Sequence, residues 1–315
     1  MSQIPIPTPN RTRTPKRTLL LTLDAFNTLF HPRTPIPEQY VAVAHAHGLP
    51  RSITPSRLLP AFKSAFKAQS LRRPNYGRAD VLRGAYGGPR EWWADVIRGC
   101  FTRVLLQGRT SGGGWSGGFV GGRGGIVSSA LVESLLERFA GREGYALYSD
   151  VRPFFDALRA RMRGGGGGFD RVVVGVVSNS DDRVAGVLGS LGVRVGPGRA
   201  GDDRLRVGGL RGLFVIGILV MVLDYDIDLV ITSYEAGEEK PSPVIFDVAE
   251  QQARRLVGDL EGEWERVHVG DDYEKDYRGA LGAGWKGCFL QREGGDAREG
   301  TVRSLREVVD MLGGR

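Results

Sequence analysis

The sequence predicts an α/β protein whose core is a parallel sheet of βαβ units, with a block of helices inserted after the first strand. Three observations carry this. Short aliphatic runs recur that are apolar on both alternating faces, as strands covered on both sides must be. From Leu147 onward these runs alternate with helical patterns, which implies parallel pairing. Between His31 and about residue 145, helical periodicity continues with no clear strand. At 315 residues the chain can hold one α/β domain of ordinary size and a smaller second one.

Residues 1–17 contain no acid but carry Arg11, Arg13, Lys16 and Arg17, as a mitochondrial presequence would. Pro5, Pro7, Pro9 and Pro15 break any amphipathic helix there, so the stretch reads as a disordered tail. Thr18–Phe30 (TLLLTLDAFNTLF) is the stretch the chain is organised around. Leu19, Leu20, Leu21 and Leu23 form a strand that delivers Asp24 into a turn, where Asn27 and Thr28 can bond nearby backbone. In an open parallel sheet ligands bind at the carboxyl ends of strands, so Asp24 is placed at the floor of a site. A plain turn-capping aspartate is the alternative for this motif alone.

His31–Pro37 is a proline-punctuated exit, followed by a helix from about Glu38 that ends near Gly48. Helices follow over Pro55–Leu71 and Arg90–Leu106, the latter with an apolar stripe of Trp92, Trp93, Val96, Ile97 and Phe101. The tryptophan pair reads as core, with a substrate cavity as the alternative. Glycine tracts at Gly112–Gly125 and Gly164–Gly168 lack a following GK[ST] and read as linkers.

A helix over Val151–Met162 leads to a strand at Arg171–Val177, ending in Ser178, Asn179 and Ser180. A helix over Asp182–Leu191 precedes a poorly patterned stretch, Arg194–Tyr225, in which Leu213–Leu223 is too short to cross a bilayer comfortably. Strand Asp228–Thr232 leads to SYEAGEEKPSP, and a helix begins near Pro243. Strand Arg266–Gly270 ends in Asp271 and Asp272, and Lys286–Leu290 reads as the last of five strands.

Net charge is +7, from 43 Lys and Arg against 36 Asp and Glu, which suits a small anionic substrate. The arginines are scattered through loops, which argues against nucleic acid. Cys100 and Cys288 make no metal-ligand spacing and read as reduced core thiols of an intracellular protein, cytoplasmic or nuclear. No 18-residue apolar span exists, so no membrane partner is expected, and nothing in the sequence reports oligomeric state.

Four strand ends thus carry Asp24, then Ser178 with Asn179, then Lys240, then Asp271 with Asp272 and Asp276. Convergent at one sheet edge, they offer a carboxylate nucleophile, hydroxyl and amide donors, a cation and an acidic cluster, the set phosphoryl transfer requires. Singly, each has a bland reading: an N-cap for Asp271 and Asp272, a solvated helix face for Asp276, an ordinary loop cation for Lys240, a cap for Ser178.

On these residues the chain resembles the haloacid dehalogenase superfamily of hydrolases, in particular its branch called haloacid dehalogenase-like hydrolase domain-containing protein 3. The family's DxDxT motif is matched by DAFNT with Asp24 and Thr28, its second by Ser178, its third by Lys240 and its GDxxxxD motif by Asp271 and Asp276. The resemblance covers about residues 18–104 and 145–293. It implies a Rossmann-like core over 18–30 and 146–315, with 194–225 as an atypical insertion. It also implies a helical cap over 31–145 that chooses the substrate, with a glycine-rich loop at 112–125. It further implies Mg²⁺ held by Asp24, the Phe26 carbonyl and Asp271, with Asp272 or Asp276 assisting. Oxygen ligands of this kind are those Mg²⁺ prefers.

The chain departs from the family's phosphatases at Phe26, where they carry an aspartate that protonates the leaving alcohol. General acid–base catalysis typically contributes ~10²- to 10⁴-fold. Three readings follow: a Mg²⁺-dependent hydrolase of a small phosphorylated metabolite, acting weakly through an Asp24 intermediate; a 2-haloacid dehalogenase-like enzyme, whose halide needs no proton; and a non-catalytic regulatory protein that binds metal and anion. The Gly270–Asp272 acidic run favours the first over the second.

Overall fold

The computed structural model describes residues 17–110, 126–163, 168–199, 225–258 and 262–312. The N-terminal tail to residue 16, the glycine tracts at 112–125 and 164–167, and residues 200–224 of the atypical stretch lie outside the described residues.

Strand β1 (Arg17–Leu23) pairs in parallel on one side with β4 (Arg171–Ser178) and on the other with β7 (Glu263–Gly270). Beyond β4 lie β6 (Ile227–Thr232) and then β5 (Val195–Arg199); beyond β7 lie β8 (Lys286–Leu290) and β9 (Thr301–Val302). The sheet therefore has seven parallel strands in the order β5-β6-β4-β1-β7-β8-β9. Successive residues of β1 point to opposite faces, and both faces are covered. Leu19, Leu21 and Leu23 pack with α6 (Val151–Arg163), α7 (Val184–Ser190) and the C-terminal helix over Leu305–Met311. Leu20 packs on the other side with Ile245, Phe246, Ala249 and Ala253 of the helix over Pro243–Val257. This double burial is why the strand reads as continuous leucine rather than as an alternating pattern.

The five expected strands are present, and two more extend the sheet. Arg194–Tyr225, expected to be unpatterned, begins with the edge strand β5 (VGPGR), whose register with β6 shifts between Val195 and Gly198. Glycine and proline are poor strand formers, and an edge is where a sheet tolerates them, so no pattern announced it. Lys286–Leu290 is not the last strand, because the two residues of β9 pair beyond it.

Between the short strands β2 (Phe30–Pro32) and β3 (Tyr145–Leu147) lie, among the described residues, five helices: α1 (Ile36–Ala46), α2 (Pro55–Arg72), α3 (Pro74–Leu82), α4 (Pro89–Thr110) and α5 (Ser129–Arg138). β2 and β3 pair antiparallel, so the insert leaves and rejoins the core at one point. Its apolar interior, with Tyr40, Trp92, Phe101 and Leu135, is continuous with one face of the sheet. Cys100 and Cys288 are both buried free thiols, and burial pushes them up to about 12 and about 11. Among the described residues no helix is long and apolar enough to cross a membrane.

Candidate active site

The chain winds from β1 toward β4 in one direction and from β7 toward β8 in the other, so the C-terminal edge between β1 and β7 is a topological switch point. Asp24 follows β1 there, and Asp271 follows β7. The Asp24 N–H donates to the Val269 carbonyl (2.8 Å), tying the turn to its neighbour strand. Asn27 takes up a left-handed conformation (φ 57°), one that asparagine tolerates better than most residues, and the chain doubles back so that Leu29 and Phe30 donate to the Ala25 carbonyl.

Lys240 is the hub. Its ammonium donates to Asp24 Oδ1 (2.8 Å), Asp276 Oδ1 (2.6 Å) and the Val177 carbonyl (2.7 Å), which uses all three protons. Its backbone is clamped by Asn179, whose Nδ2 donates to the Lys240 carbonyl (2.8 Å) and whose Oδ1 accepts from the Lys240 N–H (2.6 Å). The buried Ser178 side chain favours the charged form of the Asp24 carboxylate. Asp276 lies on a π-helical turn, Tyr273–Arg278, and its Oδ2 accepts from the Asp272 N–H (2.9 Å). Gly270 makes this approach possible, because a Cβ there would fall on the Asp276 carboxylate. The Thr28 hydroxyl faces Asp271 Oδ1 at 3.4 Å.

Ligand oxygens of Asp24, Asp271 and Asp276 all lie within 4.8 Å of one another. Burial pushes the Asp24 carboxyl up, against the pull of the Lys240 ammonium. Burial opposes the charge on Lys240, but Asp24 and Asp276 outweigh it and hold the ammonium above its ordinary range. Asp276 is disfavoured by burial and still driven well below the usual carboxylate range by Lys240. Asp271 is pushed up to about 7 by burial first and then by the charges of Asp24 and Asp276. Burial keeps His268 low, hence neutral. Three carboxylates against one ammonium leave the cluster short of positive charge.

A scan against protein-family models finds no match. The chain is 30% identical over 269 residues to human haloacid dehalogenase-like hydrolase domain-containing protein 3, spanning 84% of this chain and 78% of the human one. It belongs to the haloacid dehalogenase-like hydrolases. The Danio rerio protein of the same name is 26% identical over 299 residues, covering 92% of this chain and 94% of its own. Among solved structures, the magnesium-bound HAD-hydrolase YfnB of Bacillus subtilis is similar in fold, with a TM-score of 0.50 at 15% identity over 95% of this chain and 99% of that one.

In this haloacid dehalogenase-like hydrolase, Asp24, Thr28, Ser178, Asn179, Lys240, Asp271 and Asp276 lie together at the C-terminal edge of the sheet. Asp272 does not join them. Its carboxylate caps the π-helical turn by accepting from the Glu274 and Lys275 N–H groups (3.1 and 3.0 Å), so of the two adjacent aspartates it is the one that acts as an N-cap. Asn179 faces the Lys240 backbone instead of open space. The tryptophan pair divides. Trp92 is core and donates to the Arg73 carbonyl (2.9 Å), while Trp93 faces a cavity and donates to Asp181 Oδ2 (2.7 Å).

Sequence reasoning missed His268, which is fully buried behind the cluster. Its Nε2 donates to Asp276 Oδ1 (3.2 Å), which leaves Nδ1 to accept from the Thr22 hydroxyl (2.8 Å). The signal was a lone polar ring inside the apolar run RVHVG. It also missed Asp181 and Arg183, paired through Nε–Oδ1 (2.9 Å) and a second guanidinium N–H to Oδ2 (2.8 Å). This pair lines a cavity of about 210 Å³ between the helical insert and the end of β4. Phe26, Phe30, Tyr40, Tyr76, Trp93 and Tyr145 supply much of its wall.

Proposed function

We propose that this hydrolase cleaves a small phosphorylated metabolite with Mg²⁺, using Asp24 as the nucleophile. The observation that supports it best is Lys240 bridging Asp24 and Asp276, with Asp271 beside them, at the switch point of the sheet. The donor set fits the ion: it is all carboxylate oxygen, and it gathers three carboxylates around one ammonium. Asp24, Asp271 and the Phe26 carbonyl would hold the ion, with Asp276 behind them. The YfnB relative's bound magnesium accords with this. When bound, Mg²⁺ neutralises phosphate charge.

The chain's own residues do the rest. Lys240 works against the burial that raises the Asp24 carboxyl and fixes its position. An Asp24 oxygen forms a bond to phosphorus, and the bond from phosphorus to the leaving oxygen breaks, with its electron pair passing to that oxygen. Thr28 and Ser178 donate to the phosphoryl oxygens. Water then adds to phosphorus, the pair of the Asp24–phosphorus bond returns to the carboxylate, and the water's proton leaves on the released phosphate. Phe26 offers no proton to either step, which makes turnover weak. The helical insert acts as the cap over the site.

The test is hydrolysis of an activated aryl phosphate with Mg²⁺ or with EDTA, in the native chain and in Asp24→Asn. Turnover that needs Mg²⁺ and vanishes in Asp24→Asn is expected. Undiminished turnover in Asp24→Asn removes Asp24 from the mechanism, and an inert native protein that still binds Mg²⁺ makes it a binding protein.

A further inference from the structure

The cavity bounded by Phe26 and by Ser178, Asn179 and Ser180, next to the carboxylate cluster, has a chemistry of its own, and it agrees with the chemistry of Phe26. On the sheet side the site is charged. On the insert side it is apolar, mostly aromatic with Ile36, Ile97, Leu135 and Leu136 between the rings. Phe26 meets Phe30 (centroids 5.4 Å apart, 73° between planes) and Tyr145 (5.4 Å, 85°) edge to face, so it belongs to the wall of the cavity and not to the carboxylate cluster. Trp93 and Tyr76 continue that wall, their centroids 6.4 Å apart. Tyr76 is held there by an unusual backbone. Asn75, Tyr76 and Gly77 are all left-handed (φ 45°, 58° and 75°), and the Asn75 side chain bridges to the core, donating to the Ser233 carbonyl (2.7 Å) and accepting from its hydroxyl (3.1 Å).

Charge is present in the wall but already satisfied. Arg183 is engaged by Asp181 through two hydrogen bonds, and Asp181 also accepts from Trp93. The cavity therefore calls for neither a free anion nor a free cation beyond the phosphate end, and its side-chain amide and serine hydroxyls (Ser178, Asn179 and Ser180) are gathered at that end, not spread along the wall where a polyol would need them. Burial keeps Tyr40, Tyr76 and Tyr145 neutral, so besides Ser178, Asn179 and Ser180 at the sheet end the polar groups of the wall are phenols. An apolar cavity of roughly 150 Å³ takes up benzene, so about 210 Å³ accommodates one substituted ring.

Resting on the phosphatase reading, we propose that the preferred substrates are phosphate monoesters of ring-bearing, apolar alcohols whose oxygen departs as a stable anion, aryl esters being the type. As Asp24 takes the phosphoryl group, the oxygen leaves with its electron pair and without a proton, because residue 26 has none to give. It is protonated later by water.

The test uses the full chain with Mg²⁺ and compares kcat/KM for acetyl phosphate, a series of aryl phosphates of rising leaving-group basicity, alkyl phosphates of matched size, and a sugar phosphate. Aryl esters should lead, with a steep fall along the series and alkyl esters at least ~10²-fold below them. Phe26→Asp should flatten that fall by raising alkyl-ester turnover by ~10²- to 10⁴-fold. Trp93→Ala should narrow the preference for aryl esters over acetyl phosphate by roughly tenfold. Alkyl or sugar phosphates cleaved as well as aryl esters overturn the proposal. Acetyl phosphate cleaved while every aryl ester is inert overturns it too, yet leaves the phosphatase reading standing. Inertness toward all of them defeats both.

Discussion

Replacing Lys240 with methionine tests whether the cluster is held together by charge. The side chain is only 2% exposed, and both carboxylates it bridges are themselves buried, at 11% and 2% exposure. Methionine has nearly the same length, so packing changes little while the charge disappears. Removing one partner of a buried ion pair costs about 3–5 kcal/mol, because the other charge is left uncompensated. Here two carboxylates and the Val177 carbonyl lose their donor together, which places Lys240→Met toward the upper end. With about 1–3 kcal/mol per molar as the urea slope, the unfolding midpoint in EDTA should fall by roughly 1 M or more. Mg²⁺ should then stabilise the variant more than the native chain, since an ion that binds only the folded state adds stability in proportion to its affinity. A midpoint within about 0.2 M of the native value, without metal, would refute the reasoning.

Two further outcomes follow from groups with different jobs. Asp228, on β6, is pushed up to about 7 by burial, although it accepts from the Val174 N–H (2.8 Å). Its folded pKa lies above the unfolded one, so the folded state holds the proton more tightly. Its contribution is complete below about pH 4 and is lost as pH rises through about 7, on the order of 4 kcal/mol in all. Asp228→Asn should therefore raise the melting temperature at about pH 8 and change it little at about pH 4, and equal effects at both would count against this. Gly270→Ala puts a methyl group onto the Asp276 carboxylate. It should cost about 1–3 kcal/mol of stability and weaken Mg²⁺ binding measured by calorimetry, and native-like binding would show that Asp276 can move freely.

The site was legible where chemistry coincided with a strand end. Asp24, Ser178, Lys240 and Asp271 each follow an apolar run, and the four strands β6, β4, β1 and β7 turn out to be neighbours in the sheet. Composition alone could not separate Asp272 from Asp276, because both are acids just beyond β7. The separation comes from the π-helical turn, which sets Asp276 back toward Lys240 and leaves Asp272 at its mouth as a cap. His268 was hidden for the opposite reason. Nothing in a five-residue run shows that the space behind it holds a carboxylate 8 residues along the chain. Trp92 and Trp93 point about 100° apart on their helix, and only the fold decides which of them is fully buried and which lines the cavity. β5 stayed invisible because VGPGR is strand only by virtue of its neighbour β6.

Phe26 shows how far the two halves of the site are independent. Asp24 is positioned by Val269 and Lys240, both on the sheet side, and neither contact passes through residue 26. Phe26 in turn packs with Phe30 and Tyr145 at the root of the helical insert. On the proposed mechanism, a change at this position therefore alters what a leaving group meets without moving Asp24. The same separation explains why a site that lacks the family phosphatases' acid can keep every charge that holds its aspartate in place. Buried carboxylates cost too much to retain unless they are paired, and here Asp24 and Asp276 are both paired through Lys240. What Phe26 removes is a proton, and a substrate that needs none loses little by its absence.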